Sequence, residues 1–428
     1  MYKRPRHGNA ARTTAVLCLA GLGATPALAT NGYFANGFDT ISKGMAGAGV
    51  AMDGGVMGIA TNPALGTQVG NEAAFCLTYF SPDRSFDIGE DPTGFLVPGK
   101  ETSSNKSFVI PCGGANFMLN DRSSLGFVVV GNGGMNTEYD GNPFAGIGQF
   151  YGTGAKTPYG VNLEQLFIGL NYAYEVNPQL SVGIAPIYAV QRFSATGLQP
   201  FTLFSTDPGN VTDNDDSWSR GWGYNLGVHI TPNAQWSIGA AYRSRIYMSE
   251  FDRYSGLFAE QGDFDIPATA VIGAAFTPAS APRWTITGEY QRIFYGDINA
   301  IANSGSEITP TLGDDDGPGF GWKDMDIVRL AANYEATDQW TIRGGVSHAT
   351  EFIDDDQVLF NTLAPATPQW HASIGATYDI NSNWSVSGSY THAFDNDVSG
   401  RNKTPSLTNP VTLDMYQNEL SLAMSYKW

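Results

Sequence analysis

Trp236-Ser-Ile-Gly-Ala-Ala-Tyr242, Trp284-Thr-Ile-Thr-Gly-Glu-Tyr290, Trp340-Thr-Ile-Arg-Gly-Gly-Val346 and Trp384-Ser-Val-Ser-Gly-Ser-Tyr390 are four versions of one short phrase. Each alternates with period 2: Trp, Ile, Gly and Tyr take one face, and Ser, Thr, Arg or Glu the other, as in a strand with one apolar side. Leu125-Gly-Phe-Val-Val and Leu180-Ser-Val-Gly-Ile follow the same plan with Leu first. A small polar turn precedes each: Asn120-Asp121, Asn177-Pro178-Gln179, Pro232-Asn233-Ala234, Pro278 to Pro282, Thr337-Asp338-Gln339 and Asn381-Ser382-Asn383. The connections at the opposite ends are long, roughly 12 to 28 residues, polar and rich in Asp and Gly. Short turns at one end and long loops at the other describe an outer-membrane barrel, apolar outward and polar inward.

The opening Trp always sits at the short-turn end, where an interfacial aromatic girdle belongs. Six short turns make six hairpins, and one further strand at each end brings the count to 14 over residues 72–428. Such an antiparallel barrel has both ends on one side, the periplasmic one. The last residues, Leu420 to Trp428, alternate in the same way and end on an aromatic, like the signal read by the outer-membrane assembly machinery.

Composition agrees with this reading. The chain has 428 residues, with 23 Lys+Arg against 41 Asp+Glu, only 15% charged residues, 51 Gly and 12% aromatics. That balance lacks the basic footprint of nucleic-acid binding and holds too many apolar residues for disorder. Lys3, Arg4, Arg6 and Arg12, an apolar run from Thr13 to Ala24, and Ala27-Leu28-Ala29 read as a secretory leader over residues 1–29. Cys18 follows Leu17 rather than a small residue, which weighs against a lipoprotein anchor. Losing four of the 23 cations leaves 19 against 41 acids. No later stretch is apolar for long enough to cross a bilayer as a helix.

Residues 30–71 lack clean alternation and are rich in Gly and Ala. They are too few to fold easily alone, and the lumen is their natural place, as a hatch of short helices. Thr30-Asn31-Gly32-Tyr33-Phe34, Gly44 to Ala51, and Asn62-Pro63-Ala64 resemble the N-terminal hatch of the long-chain fatty acid transporter (FadL/TodX-type) family, with local likeness in Val161 to Phe167 and Tyr242-Arg243-Ser244. The resemblance implies a passive channel. A hydrophobic compound is caught among the external loops, passes to a pocket in the lumen, and leaves sideways through a gap made by an inward kink of the third strand once the hatch rearranges.

The sequence marks a place for that gap. With the second hairpin symmetric about Asp121, Pro111 stands opposite Gly131. Pro brings no N–H to a ladder, and Gly131-Asn132-Gly133-Gly134 permits a kink; family members often carry a Pro-containing motif here. Asn62, with Pro63 and Ala64, is expected to reach this gate. Replacing Gly131, Gly133 and Gly134 with Val is expected to straighten the strand and block transport. Pro186 in the fifth strand is a second irregularity.

Phe34, Phe38, Ile59 and Leu65 of the hatch are candidate lining for an apolar pocket. Arg243, Arg245 and Arg343 fall on the polar phase and could hold a carboxylate by charge-assisted hydrogen bonds, unless they serve the lumen by pairing with acids such as Glu289. Cys76 and Cys112 lie symmetric about Gly94 on the first two strands, where export permits a cross-strand disulfide. The acids Asp213, Asp215 and Asp216, Asp314 to Asp316 and Asp354 to Asp356 do not match a calcium loop; they read as solvated faces, or as sites for divalent ions bridging to lipopolysaccharide. No metal spacing, phosphate loop or nucleophile motif is present, Gly47-Ala48-Gly49 lacks the third glycine of a dinucleotide site, and no cofactor is expected. The resulting expectation is a monomeric outer-membrane barrel whose partners are a hydrophobic cargo and the surrounding lipid. An outer-membrane lipid hydrolase, a carrier restricted to aromatic hydrocarbons or alkanes, and a general porin or surface barrel are the alternatives.

Overall fold

The computed structural model describes residues 31–52, 54–90, 94–306 and 311–428; the leader expected over 1–29, with Thr30, lies outside them. Fourteen strands form the wall. The first seven are β1 (Glu72–Ile88), β2 (Phe108–Asn120), β3 (Ser123–Asn136), β4 (Gly160–Asn177), β5 (Leu180–Thr196), β6 (Ser217–Asn233) and β7 (Trp236–Arg243). The rest are β8 (Thr269–Phe276), β9 (Trp284–Ile293), β10 (Met325–Glu335), β11 (Trp340–Ala349), β12 (Trp370–Asp379), β13 (Trp384–Arg401) and β14 (Pro410–Lys427). Each pairs antiparallel with the next, and β14 closes on β1 from Glu72 opposite Lys427 to Ile88 opposite Val411. Pairing the last strand with the first removes the two terminal edges of the sheet, as a lipid-spanning sheet requires because unpaired backbone groups find no water there. Two short strands, Gly99–Thr102 and Tyr247–Met248, extend β1 and β6 beyond the wall. Among the described residues no helix is long and apolar enough to cross a membrane.

The period-2 pattern sorts the faces. Trp236, Ile238 and Tyr242 are exposed on the outside, while Ala241 and Arg243 are buried inside. At the short-turn end each opening Trp packs on an aromatic of the neighbouring strand. Trp236 meets Phe276, Trp284 meets Tyr334, Trp340 meets Tyr378 and Trp384 meets Tyr426, with centroids 4.4 to 4.8 Å apart. These pairs make the girdle that anchors a barrel at the interface. The long connections vary more than expected, from 402–409 to 294–324. Pro186 faces outward, and the β4–β5 ladder skips the rungs at Ala185 and Pro186, the cost of an absent N–H.

One face assignment is corrected. Glycine does not share the apolar side throughout, because Gly239 and Gly345 point into the lumen against the hatch. A Cβ on Gly239 would stand 1.9 Å from the Val50 carbonyl oxygen, and one on Gly345 2.5 Å from the Met45 carbonyl carbon. Residues 31–52 and 54–71 lie in the lumen, with short helical turns: α1 (Thr40–Lys43), two 3₁₀ turns at Val56–Ala60 and Pro63–Leu65, and α2 (Gly66–Val69). Asp39 caps α1, accepting from the Ile41 and Ser42 amides at 2.6 and 2.9 Å, which satisfies donors that a short helix leaves open.

Polar wall residues bind this segment backbone by backbone. Asn116 donates to the Gly66 and Gly70 carbonyls, Asn225 to those of Ala60 and Thr61, and Ser237 to that of Ala51. Two buried ion pairs complete the hold. Lys43 meets Glu419. Glu289 pairs with Arg329 at 2.9 Å and also accepts from the Gly49 and Val50 amides.

Candidate functional site

The β2–β3 ladder is incomplete. Its pairs run from Asn120–Ser123 near the turn only as far as Gly113 opposite Val129. The register is the one that symmetry about Asp121 requires, so Pro111 is level with Gly131, yet no pair forms there. Pro111 instead pairs with Leu77 of β1, and Phe108 to Cys112 bond β1 alone. Cys76 and Cys112 are opposite one another in that ladder and joined as a disulfide. The upper half of β3 bulges at Asn132, between the pairs Gly131–Leu166 and Gly133–Gln165. A bulge adds a residue to one strand and bends it, and from Asn132 to Asn136 this one is buried.

The hatch's own N-terminal arm occupies the break. The Gly134 amide donates to the Tyr33 carbonyl at 2.9 Å and the Ala35 amide to the Asn132 carbonyl at 2.8 Å, with Phe34 bridging Gly133 antiparallel. On its other side Ala35 packs against Phe80, Phe108 and Ile110 of β1 and β2. The Tyr295 hydroxyl, from the connection after β9, donates to the Asn31 carbonyl at 2.6 Å. Residues 31–35 thus serve as a short strand where the wall lacks one.

Beside the arm lies a small inner cavity whose lining includes Phe34, Phe38, Asn132, Arg243, Val271 and Gln291. Arg243 is its unusual member. Its guanidinium lies between the rings of Phe34 and Phe167, 4.8 and 4.9 Å from their centroids, and Nη1 donates to Asn132 Oδ1 at 3.0 Å. Its Nε and Nη2 are buried without an acceptor among the described residues.

A second small cavity lies among the long connections, lined by Phe144, Phe193, Phe201, Phe258, Phe320 and Phe360 together with aliphatic residues. A file of aromatic rings connects the two linings. Phe258 packs on Phe264 at 4.9 Å, Phe264 on Tyr33 at 6.0 Å, and Tyr33 on Phe34 at 5.0 Å. These loop phenylalanines are absent from the sequence reading, although isolated aromatics in polar, Gly-rich connections are a signal that could have found them.

Several expected site residues lie elsewhere. Asn62 does not reach the gap. It caps the turn at Pro63–Leu65 through Ala64 N, and donates to the carbonyls of Val50 at 2.8 Å and Val228 of β6 at 3.1 Å. Gly227 allows that approach, since a Cβ there would stand 2.1 Å from Asn62 Oδ1. The Asn-Pro-Ala turn is therefore an anchor on β6, three strands round the wall from β3. Ile59 and Leu65 are buried in packing and line neither cavity. Arg245 lies just past the end of β7, where the strand's phase no longer applies, and its Nε donates to Asp265 at 2.6 Å. Arg343 donates to Thr377 at 2.7 Å, away from both cavities. The acid runs tie connections to the wall and to one another: Asp216 holds Arg192 of β5 at 3.1 Å, Asp354 holds Lys323 at 2.7 Å, and Asp315 accepts from Gln261 at 2.9 Å.

A closed barrel with an apolar belt, a stopper from its own N-terminus and an apolar chamber among its loops defines an outer-membrane transport protein. The chain belongs to the family described as outer membrane protein transport protein (OMPP1/FadL/TodX), whose model matches residues 21–428. It is 23% identical over 410 residues to the long-chain fatty acid transport protein of Escherichia coli O6:H1, covering 84% of this chain and 86% of that one. In fold it is similar to the P. putida toluene transporter TodX, with a TM-score of 0.68, 17% identity, and coverage of 92% of this chain and 99% of that chain. A Pseudomonas aeruginosa FadL homologue gives a TM-score of 0.69 at 16% identity over the same shares of the two chains.

Proposed function

We propose that this protein admits long-chain fatty acids or similar hydrophobic compounds passively across the outer membrane, and releases them sideways where the β2–β3 ladder stops. The observation that carries this reading is the arm at Tyr33–Ala35, which fills the break by the few backbone bonds described above. The rest of the hatch is held by side chains from many strands, whereas the arm is held by two backbone bonds to β3 and by the buried Tyr33 and Phe34 rings, packing that an apolar cargo can replace. An apolar solute gains by avoiding a watery pore, about 0.8 kcal/mol for each CH₂ kept out of water, and a gap in the wall delivers it directly to lipid. In this reading the long loops face outward and collect cargo in the phenylalanine-lined cavity. Both chain ends are periplasmic, and the chain works as a monomer among lipopolysaccharide and lipid after assembly guided by Trp428. The residues in both cavities bind and guide cargo; none is assigned a chemical step.

Two cargo classes suit the path. Arg243 favours an acidic head group, whereas the phenylalanine-rich outer cavity also favours flat aromatic hydrocarbons of the kind named for the toluene transporter relatives. Uptake of labelled oleate and labelled toluene by cells lacking their own transporters, with and without this gene, tests the proposal. Unchanged uptake of both, despite correct surface insertion, would remove it. Large steady ion conductance in planar bilayers would favour a general porin instead.

A further inference from the structure

Arg243 is a buried cation with no carboxylate partner among the described residues. Of the other deeply buried cations, Arg329 and Lys43 each have a Glu, which offsets the cost of burying a charge, while Arg84 donates to the Asn105 carbonyl and does not line the inner cavity. What Arg243 has instead is a neutral amide acceptor, Asn132 Oδ1, and two aromatic faces. Its unoccupied edge, Nε with Nη2, is the fork that takes a carboxylate by two parallel hydrogen bonds.

The three groups around Arg243 are also parts of the gate. Asn132 is the bulged residue of β3, its carbonyl receives Ala35 N, and its Nδ2 donates to Gln165 Oε1 at 2.8 Å. Phe34 is the centre of the arm. We infer that Asn132 is a neutral stand-in for the acidic head of the cargo, and that the Arg243–Asn132 bond is a latch which an arriving carboxylate releases. This rests on the gated-transport reading and adds to it a sensor and a cargo class. A carboxylate on the free edge neutralises the guanidinium. That weakens its attraction to the Phe34 ring and its charge-assisted bond to Asn132, so the bulge and the arm loosen together. A neutral hydrocarbon of the same shape fills the cavity without touching the latch. Asn132 acts through Arg243 and is a positioning residue for the gate.

The test uses the full chain purified in detergent with Ala35→Cys, whose thiol reacts with N-ethylmaleimide when the arm undocks; Cys76 and Cys112 are consumed in their disulfide. Oleate should speed labelling about tenfold over oleyl alcohol, the size of effect expected from one charge-assisted hydrogen bond. Adding Asn132→Asp gives Arg243 a permanent counter-ion and should abolish the response to oleate. Asn132→Ala should raise the rate with no lipid present. Gel heat-modifiability checks that each variant keeps its barrel, and the oleate-against-alcohol comparison needs no change at position 132 should either fail. Equal acceleration by oleate and oleyl alcohol, or a full oleate response with Asn132→Asp, would overturn the latch while leaving transport intact. If neither lipid binds, as read by quenching of intrinsic fluorescence, the fatty acid reading falls and the latch with it, while toluene uptake still tests transport of neutral hydrocarbons.

Discussion

Gly133 and Tyr33 meet so closely that a Cβ on Gly133 would stand 1.7 Å from the Tyr33 carbonyl oxygen. That is backbone against backbone, which no rotamer change relieves. The contact reverses the direction expected for a side chain here. Rather than straightening β3 and blocking passage, Gly133→Val should expel the arm and leave the break open. Planar bilayers carrying the variant should show steady conductance where the parent shows little. A silent variant with an intact barrel would mean that the arm is not the stopper. Gly134→Val is a different case, because its Cβ would strike the Leu163 carbonyl of β4 at 2.2 Å and so disturb the wall itself.

The disulfide holds the other side of the break. Cys112 is the residue beside Gly113, where the β2–β3 ladder ends, and it is bonded across to β1 with a sequence separation of 36. Closing a loop of that size restricts the unfolded chain by an amount worth about 4 kcal/mol. Replacing both cysteines by serine should lower unfolding stability by about 2 to 4 kcal/mol. It should also let the upper half of β2, paired on one side only, follow β3 when the gate moves. Denaturant unfolding of the two forms measures the first effect. Equal stability would show that β1 fixes β2 without the covalent link.

Much of the wall was legible because lipid imposes it. The four opening Trp and their alternating partners had to face outward, and the short polar turns between them set the strand count. The break was half legible. Pro111 and Gly131 to Gly134 marked its height, but nothing in their spacing said that residues 31–35 would supply the missing strand. Asn62 was misplaced because strand tilt decides which wall a hatch residue meets across a lumen, and one sequence carries no measure of tilt. Gly239 and Gly345 were assigned to the wrong face for a simpler reason: glycine has no side chain to declare one. Arg245 failed where β7 ends, since a phase argument has no force beyond the last paired residue.

Acidity should act on the connection 244–268. Burial, and then the neighbouring Asp265 carboxylate, push the Asp263 carboxyl up to about 7, with Glu260 adding to the push and Arg245 opposing it. A carboxyl raised in the folded state binds its proton more tightly there than in the unfolded chain. Its contribution is therefore full below the ordinary carboxylate range and declines as pH climbs to about 7. Since Phe258 and Phe264 belong to this segment, loosening it opens the outer cavity and the ring file beneath. Protease cleavage within 244–268 should become faster from pH 5 to pH 7.5, and Asp263→Asn should flatten that dependence. A pH-independent cleavage rate in the parent would remove Asp263 from the account.

Glu289 sets how much of the hatch stays behind when the arm leaves. It accepts from two hatch amides, Gly49 and Val50, and balances Arg329, which in turn donates to the Ala46 carbonyl at 3.1 Å. Removing one member of a buried pair leaves the other charge unpaired, at about 3 to 5 kcal/mol, and here it also orphans two buried amides. Glu289→Ala should therefore free residues 44–52 while the strands stay closed, because the ladders on both sides of β9 do not use that side chain. Hydrogen exchange should show the Gly49 and Val50 amides losing protection and the β9 amides keeping theirs. Glu289→Gln retains an acceptor for those amides and should lose less. Joint loss of protection in hatch and strands would mean that the plug is part of what keeps the barrel folded. Unchanged protection at both would mean that the glycine-lined contacts at Gly239 and Gly345 hold this segment without the ion pair.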